Sequence, residues 1–311
     1  HFDIQHIAAQ IRRYREVDSQ RNVVVAYVEA ETLSWPAWRK DRADAPARIA
    51  AIVNQIARAI PGQRPKMALS CHSGGGAFLF SFIDAAPEIP TDVERFVFLD
   101  ANYSYDDAKE HGQKLVAWAR GGETRHLDII AYDDRNITLN GKKVVSETGG
   151  TWRASGRMLD YLKNADVALT TSEDGSITTK LGLDGKLRFV LHANPETKIL
   201  HTRLVELNGL LSELTAGTPL EQTWGGTFFG NRAYSKFIQP LPSIPDRRPT
   251  MLGGKALAEK WAKLTAEQRE AAVVAEVVKG NFPTFLRRSI TIKTKADIGG
   301  KPVECEFDVA P

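Results

Sequence analysis

The sequence predicts an α/β protein: a mostly parallel, doubly wound sheet followed by a small C-terminal helix plus β-hairpin module. Three observations carry that reading. Short runs of β-branched and apolar residues recur along the first two thirds of the chain. The gaps between them are long enough for a crossover helix, and they show helical patterning. After about Gly217 the texture changes, first to a stretch rich in Gly and Pro and then to a second, smaller set of elements.

The predicted strands, in order, are Asn22–Ala30, Lys66–Cys71, Arg95–Asp100, His126–Tyr132 and Lys186–His192. Their near-continuous apolar character suits strands covered on both faces, as in a parallel sheet. The predicted helices are Ile7–Val17, Ala45–Ile60, Gly75–Ala86, Asp106–Arg120, Thr151–Asn164 and Thr202–Leu214. Strand and helix alternate, so we divide the chain into an α/β domain over 1–217, a Gly/Pro-rich connection over 218–250 and a small α+β module over 251–311. That module holds a helical stretch, Lys255–Lys279, and a hairpin with strands Ser289–Lys295 and Val303–Val309 about a turn at Ile298–Lys301. A lone hairpin is marginal in water, so it must pack on something else.

Composition narrows the function classes. The chain has 311 residues, 42% hydrophobic and 25% charged, with a formal net charge of +3. That charge is small and evenly spread, and the basic doublets (Arg12-Arg13, Arg247-Arg248, Arg287-Arg288) lack interleaved aromatics, so no nucleic-acid partner is expected. No apolar run approaches the roughly 20 residues of a membrane helix. Two cysteines, Cys71 and Cys305, exclude a disulfide framework and a CxxC site, and both are expected as free thiols. The seven histidines form neither HExxH nor an HxH pair, so neither metal nor cofactor is expected. The chain begins at His1 with no signal-peptide pattern, which we read as a start that says nothing about compartment.

The chemistry concentrates at Ser70-Cys71-His72-Ser73-Gly74-Gly75-Gly76, between a predicted strand and a predicted helix. In a sharp strand-to-helix turn a serine is held in a strained conformation with Oγ projecting from the sheet edge. Small residues two before and two after it let the strand and helix backbones approach. Gly75 fills the downstream place and Cys71, where glycine is usual, the upstream one. The competing reading is a Gly-rich turn that binds phosphate. A phosphate-binding P-loop needs a lysine after its glycines, and Ala77-Phe78-Leu79 offers none.

From Asn22 to about Leu214 the chain resembles the α/β-hydrolase fold, entering at that fold's fourth strand. The resemblance implies a serine hydrolase acting on a small-molecule or polymer-borne carboxylic ester, or an amide, through an acyl-enzyme on Ser73. It implies a triad in chain order Ser, acid, His, with Gly74 N–H as one oxyanion donor and a second from a loop after the fold's third strand. For the acid, the family's spacing of a small residue, two variable ones, the acid and then an apolar residue fits Ala131, Asp134 and Ile137. This favours Asp134, with Asp133 and Asp100 as alternatives. For the base, His201 sits in a loop before a helix and is preferred to the strand-end His192. Because the fold's third strand lies between its fourth and fifth, residues preceding His1 are expected to supply it.

His72 is expected to shape the elbow rather than act as base. Trp35, Trp38, Tyr103, Tyr105, Trp224, Phe228 and Phe229 are candidates for the substrate pocket. A rival reading is a catalytically silent binding protein of the same fold, using its C-terminal module for partner contact.

Overall fold

The computed structural model describes residues 5–32, 34–60, 65–238, 265, 290–298 and 301–310. Two compact units emerge. The larger takes in the described residues up to Val23, Val28–Phe237 and Thr294–Cys305, and the smaller Val24–Tyr27 with the remaining described C-terminal residues. The larger unit contains a six-stranded mixed sheet: β2 (Met67–His72), β3 (Val93–Leu99), β4 (His126–Tyr132), β9 (Leu187–His192), β8 (Ile177–Gly182) and β7 (Leu169–Asp174), in that spatial order. The first four run parallel, and β8 and β7 extend the sheet antiparallel.

Helices cover both faces. On β3 the period-two alternation sends Phe96 and Phe98 into the layer containing α3 (Ala45–Ala59), α4 (Gly76–Asp84), α5 (His111–Arg120) and α6 (Thr151–Asn164). Arg95 faces the other way, bonding to α7 (Leu210–Thr215), against which α1 (Ile7–Val17) packs. Each helix follows from its stripe. Ala45, Ile49, Val53 and Ala57 of α3 are buried at four-residue spacing, and Thr151, Ala154, Ser155, Met158 and Leu162 of α6 at three and four. Helix α4 is buried from Gly76 to Ile83, as expected for a helix that is apolar all round.

Four departures from the predicted elements are instructive. The run Asn22–Ala30 narrows to a three-residue strand, β1 (Val25–Tyr27), which does not join the six-stranded sheet. It pairs antiparallel with β11 (Lys301–Ala310) at Val25–Ala310, Ala26–Val309 and Tyr27–Asp308, and β10 (Ile290–Ile298) lies on the far side of β11. Val24 and Tyr27 are exposed, so the run lacks the two-sided burial its composition suggested. With β1 elsewhere, the argument for a strand between it and β2 lapses. Strand β2 is an edge strand among the described residues, and its alternating burial fits that place.

Strands β7 and β8 form an unanticipated hairpin about Gly175, whose φ is 58°. The predicted helix Thr202–Leu214 is broken at Val205–Gly209, where Asn208 has φ 69°. The buried Gln10 serves the groups this break frees, donating to Val205 O (2.9 Å) and accepting from Leu211 N (3.0 Å). Finally, the segment assigned to a connection packs into the larger unit as far as Phe237. Tyr234 is fully buried and donates to Glu206 O, and Trp224 is buried with Tyr14 and Leu211. The predicted helix Lys255–Lys279 lies outside the described residues apart from Thr265. No helix among them is long and apolar enough to cross a membrane.

Candidate active site

The four parallel strands end along one rim of the sheet, with His72 level with Leu99 and Tyr132 level with His192. Open α/β sheets bind ligands beyond this carboxyl edge. The segments leaving it carry Ser73, Asp100, Asp134 and His201.

Ser73 begins a 3-10 turn, Ser73–Gly75, between β2 and α4, and its φ is 53°, in the left-handed region that side chains other than glycine rarely adopt. The surrounding glycines have specific reasons to be there. A Cβ on Gly75 would lie 3.0 Å from Cys71 Cβ, which is the close strand–helix approach anticipated from the sequence. One on Gly76 would run into the Ala101 carbonyl. One on Gly74 would lie 3.2 Å from Pro36 Cδ and 3.5 Å from Ser34 Cβ, so the start of α2 (Trp35–Lys40) leans on the elbow. Cys71 is a buried free thiol, and burial pushes its pKa well above the ordinary range. It therefore serves as a small residue and not as a nucleophile.

The carboxylate against His201 is Asp100, not Asp134 as the spacing favoured. Asp100 Oδ2 accepts from His201 Nδ1 at 2.5 Å, and its Oδ1 accepts from Thr151 Oγ1. Asp100 immediately follows β3, has φ 48° and is buried, while His201 is about one third exposed (33%). An ionised carboxylate can only accept, so Nδ1 carries the proton and Nε2 is left bare, the tautomer of a general base.

Asp134 instead caps α6. Its Oδ2 accepts from Thr151 N at 2.9 Å, while Oδ1 is buried without a partner. Gly150, at φ 94°, makes this possible, because a Cβ there would sit 2.8 Å from Asp134 Cγ. Burial raises the Asp134 carboxyl to about 6, helped by the charge of Asp100 and opposed by the Thr151 N–H. Asp133 is engaged elsewhere. It ion-pairs with Arg135 at 2.6 Å in a turn.

His72 is locked in one tautomer. Its Nε2 faces the His201 carbonyl at 3.0 Å, an atom that can only accept, so Nε2 bears the proton. Nδ1 then accepts from Gln5 Nε2 at 2.6 Å. Burial, aided by His201 whenever that ring is charged, lowers its pKa to about 3, so the ring stays neutral. The His72 and His201 rings are 4.3 Å apart. His72 thus holds the main chain that carries His201.

Tyr103, on the turn after Asp100, lies beside Ser73, and burial raises its hydroxyl to about 12, with the Ser73 hydroxyl acting in the opposite sense. No hydrogen bond joins Ser73 to His201 in this structure. The Trp35 ring packs on Phe78 (4.7 Å) and on Trp38 (5.4 Å). Trp38 is buried beneath the Arg42 guanidinium, 4.6 Å away. Trp224 belongs to the cluster with Tyr14, and Tyr105 is buried with its hydroxyl 2.7 Å from Asp107.

His192 accepts from Asn194 N at 2.9 Å and rests against Phe229, which itself contacts Phe228, so it is held at the strand end. Among the described residues no group of three or more His, Cys, Asp or Glu side chains is placed to hold a metal. The sequence reading missed two residues, Thr151 and Gln5, and neither carried a signal, since each acts through a contact distant in sequence. No family model, curated protein or solved structure matches the chain.

Proposed function

We propose that the chain is a serine hydrolase of α/β-hydrolase type in which Ser73 is the nucleophile, His201 the general base and Asp100 the residue that orients it. The observation that carries this is the Ser73 elbow, with its left-handed φ, on the rim that also bears the hydrogen-bonded His201–Asp100 pair. A serine hydroxyl is a weak nucleophile at neutral pH, so a neutral imidazole must take its proton during attack. Asp100 fixes the tautomer and stabilises the imidazolium that follows.

The Gly74 N–H is the first oxyanion donor, an interaction worth ~3–4 kcal/mol. The turn Ser34–Pro36, packed against Gly74, is the segment placed to supply the second. No Ser73–His201 hydrogen bond is formed in this structure, so catalysis requires the Ser73 hydroxyl to come within hydrogen-bond reach of His201 Nε2. Neighbouring parallel strands β2, β3, β4 and β9 then stand for the superfamily's fifth to eighth, with the acid after the sixth. A carboxylic ester is the substrate class that the resemblance implies.

That no hydrogen bond joins Ser73 to His201 supports a second reading, a silent binding protein of the same fold. A panel of para-nitrophenyl esters separates them. The hydrolase reading expects turnover that Ser73→Ala lowers by roughly 10^4-fold or more. Absence of turnover in folded, full-length protein, or turnover that survives Ser73→Ala, favours the silent one.

A further inference from the structure

Helix α2 carries a cation whose position the proposed chemistry does not use. Pro36 rests on Gly74, Trp35 on Phe78 of α4, and Trp38 is buried in the core, so this short helix is fixed beside the elbow. Arg39 lies four residues after Trp35 and three after Pro36, which places it on the same helix side as the residues touching the elbow. Arg39 is half-buried, and its guanidinium makes no hydrogen bond or ion pair among the described residues.

In this it stands alone. The other buried or half-buried arginines all have partners: Arg13 the Trp224 carbonyl, Arg42 Glu31, Arg95 Asp128, Arg125 the Trp118 carbonyl and Arg188 Glu213, with the remainder bonded likewise. Asp100 is already engaged by His201 and Thr151, so no carboxylate of the site answers Arg39. Its charge acts on the Tyr103 hydroxyl, which lies beside Ser73.

We propose that Arg39 is the recognition residue for a carboxylate carried by the substrate, so that the preferred substrates are esters bearing a free carboxylate. This rests on Ser73 being the nucleophile. A guanidinium presents paired donors that match a carboxylate, and leaving such a group half-desolvated and unpaired is unfavourable until an anion arrives. A single guanidinium balances a single negative charge, which favours a carboxylate over a doubly charged phosphate.

The test compares the para-nitrophenyl half-ester of adipic acid with para-nitrophenyl hexanoate, which has a methyl group in place of the distal carboxylate, using the full-length chain. The half-ester is expected to be preferred by roughly tenfold to a hundredfold in kcat/KM. Arg39→Gln is expected to collapse that ratio mainly through KM, and Arg39→Lys to restore part of it. A ratio at or below one, or a ratio that survives Arg39→Gln, overturns the proposal.

Calorimetric titration of adipate into the Ser73→Ala protein reads the same contact without turnover. Binding that disappears when Arg39→Gln is added supports the anion site even where no ester is cleaved, in which case the hydrolase reading fails by itself. Adipate binding that is absent, or unaffected by Arg39→Gln, overturns the anion site. Inorganic phosphate bound in an Arg39-dependent way where adipate is not overturns the assignment to a carboxylate.

Discussion

Two aspartates follow adjacent parallel strands, Asp100 after β3 and Asp134 after β4, and only one of them touches a histidine. Their mutants should therefore separate. Asp100→Asn leaves His201 with the wrong tautomer and is expected to lower kcat by up to roughly 10^4-fold. Asp134→Asn acts through Thr151 and is expected to cost about tenfold or less. Steady-state kinetics on any ester the protein turns over checks both, and the reverse ranking contradicts the geometry.

Asp134 has its own pH signature. Its carboxyl is raised from 3.8 to about 6, so the folded state holds the proton more tightly than the unfolded chain. The associated stability is full below the unfolded value and is lost as pH rises from about 4 through 6, up to about 3 kcal/mol. In Asp134→Asn that loss should be absent. Urea midpoints at pH 4 and pH 7.5 for the two proteins check this, and parallel changes in both would contradict it. The sequence showed both aspartates at strand ends. It could not show which of them the loop bearing His201 reaches, because that is decided by a contact across 101 residues.

At the scale of elements, the broken helix near residues 205–209 depends on one side chain. Gln10→Leu keeps the bulk but leaves Val205 O and Leu211 N without their partners, and removes the link to Gln5 O. The expected cost is roughly 2–4 kcal/mol in urea unfolding. A cost below 1 kcal/mol would indicate that solvent replaces Gln10 there.

Most elements were legible because their signals are local. The elbow was read from three glycines and a cysteine, and the helices from their stripes. The β7–β8 hairpin also left a signal, Asp174-Gly175 between Thr-rich flanks, which is good hairpin chemistry. Strand β1 was misplaced for a different reason. An apolar β-branched run declares a strand but not its partner, and the partner here lies about 280 residues away, at Asp308–Ala310.

At the scale of the whole molecule, charges inside the sheet tie its layers together. Arg95 on β3 binds Asp128 on β4 and the Glu213 and Ala216 carbonyls at 2.8 and 2.7 Å, while Arg188 on β9 holds Glu213 at 2.6 Å. Burial pushes the Asp128 carboxyl upward, against the pull of Arg95. Removing one partner strands the other. Arg95→Met is expected to cost roughly 3–5 kcal/mol, and combining it with Asp128→Leu to recover much of that loss. Thermal or urea unfolding of the single and double mutants checks this, and additive losses would contradict it. The class of the fold was legible because alternating strand and helix patterns are repeated along the chain. The anchoring of residues up to Phe237 was not, since single buried residues such as Tyr234 and Trp224 carry it within an otherwise irregular segment.

The account turns on Ser73 as a nucleophile activated by the His201–Asp100 pair. The measurement that reaches it most directly is the rate and site of covalent labelling by a fluorophosphonate, mapped by peptide mass spectrometry in the full-length protein. Labelling confined to Ser73 is expected, slowed by orders of magnitude in His201→Ala and substantially in Asp100→Asn. Folded protein that takes up no label, or takes it up at another residue, would contradict the account.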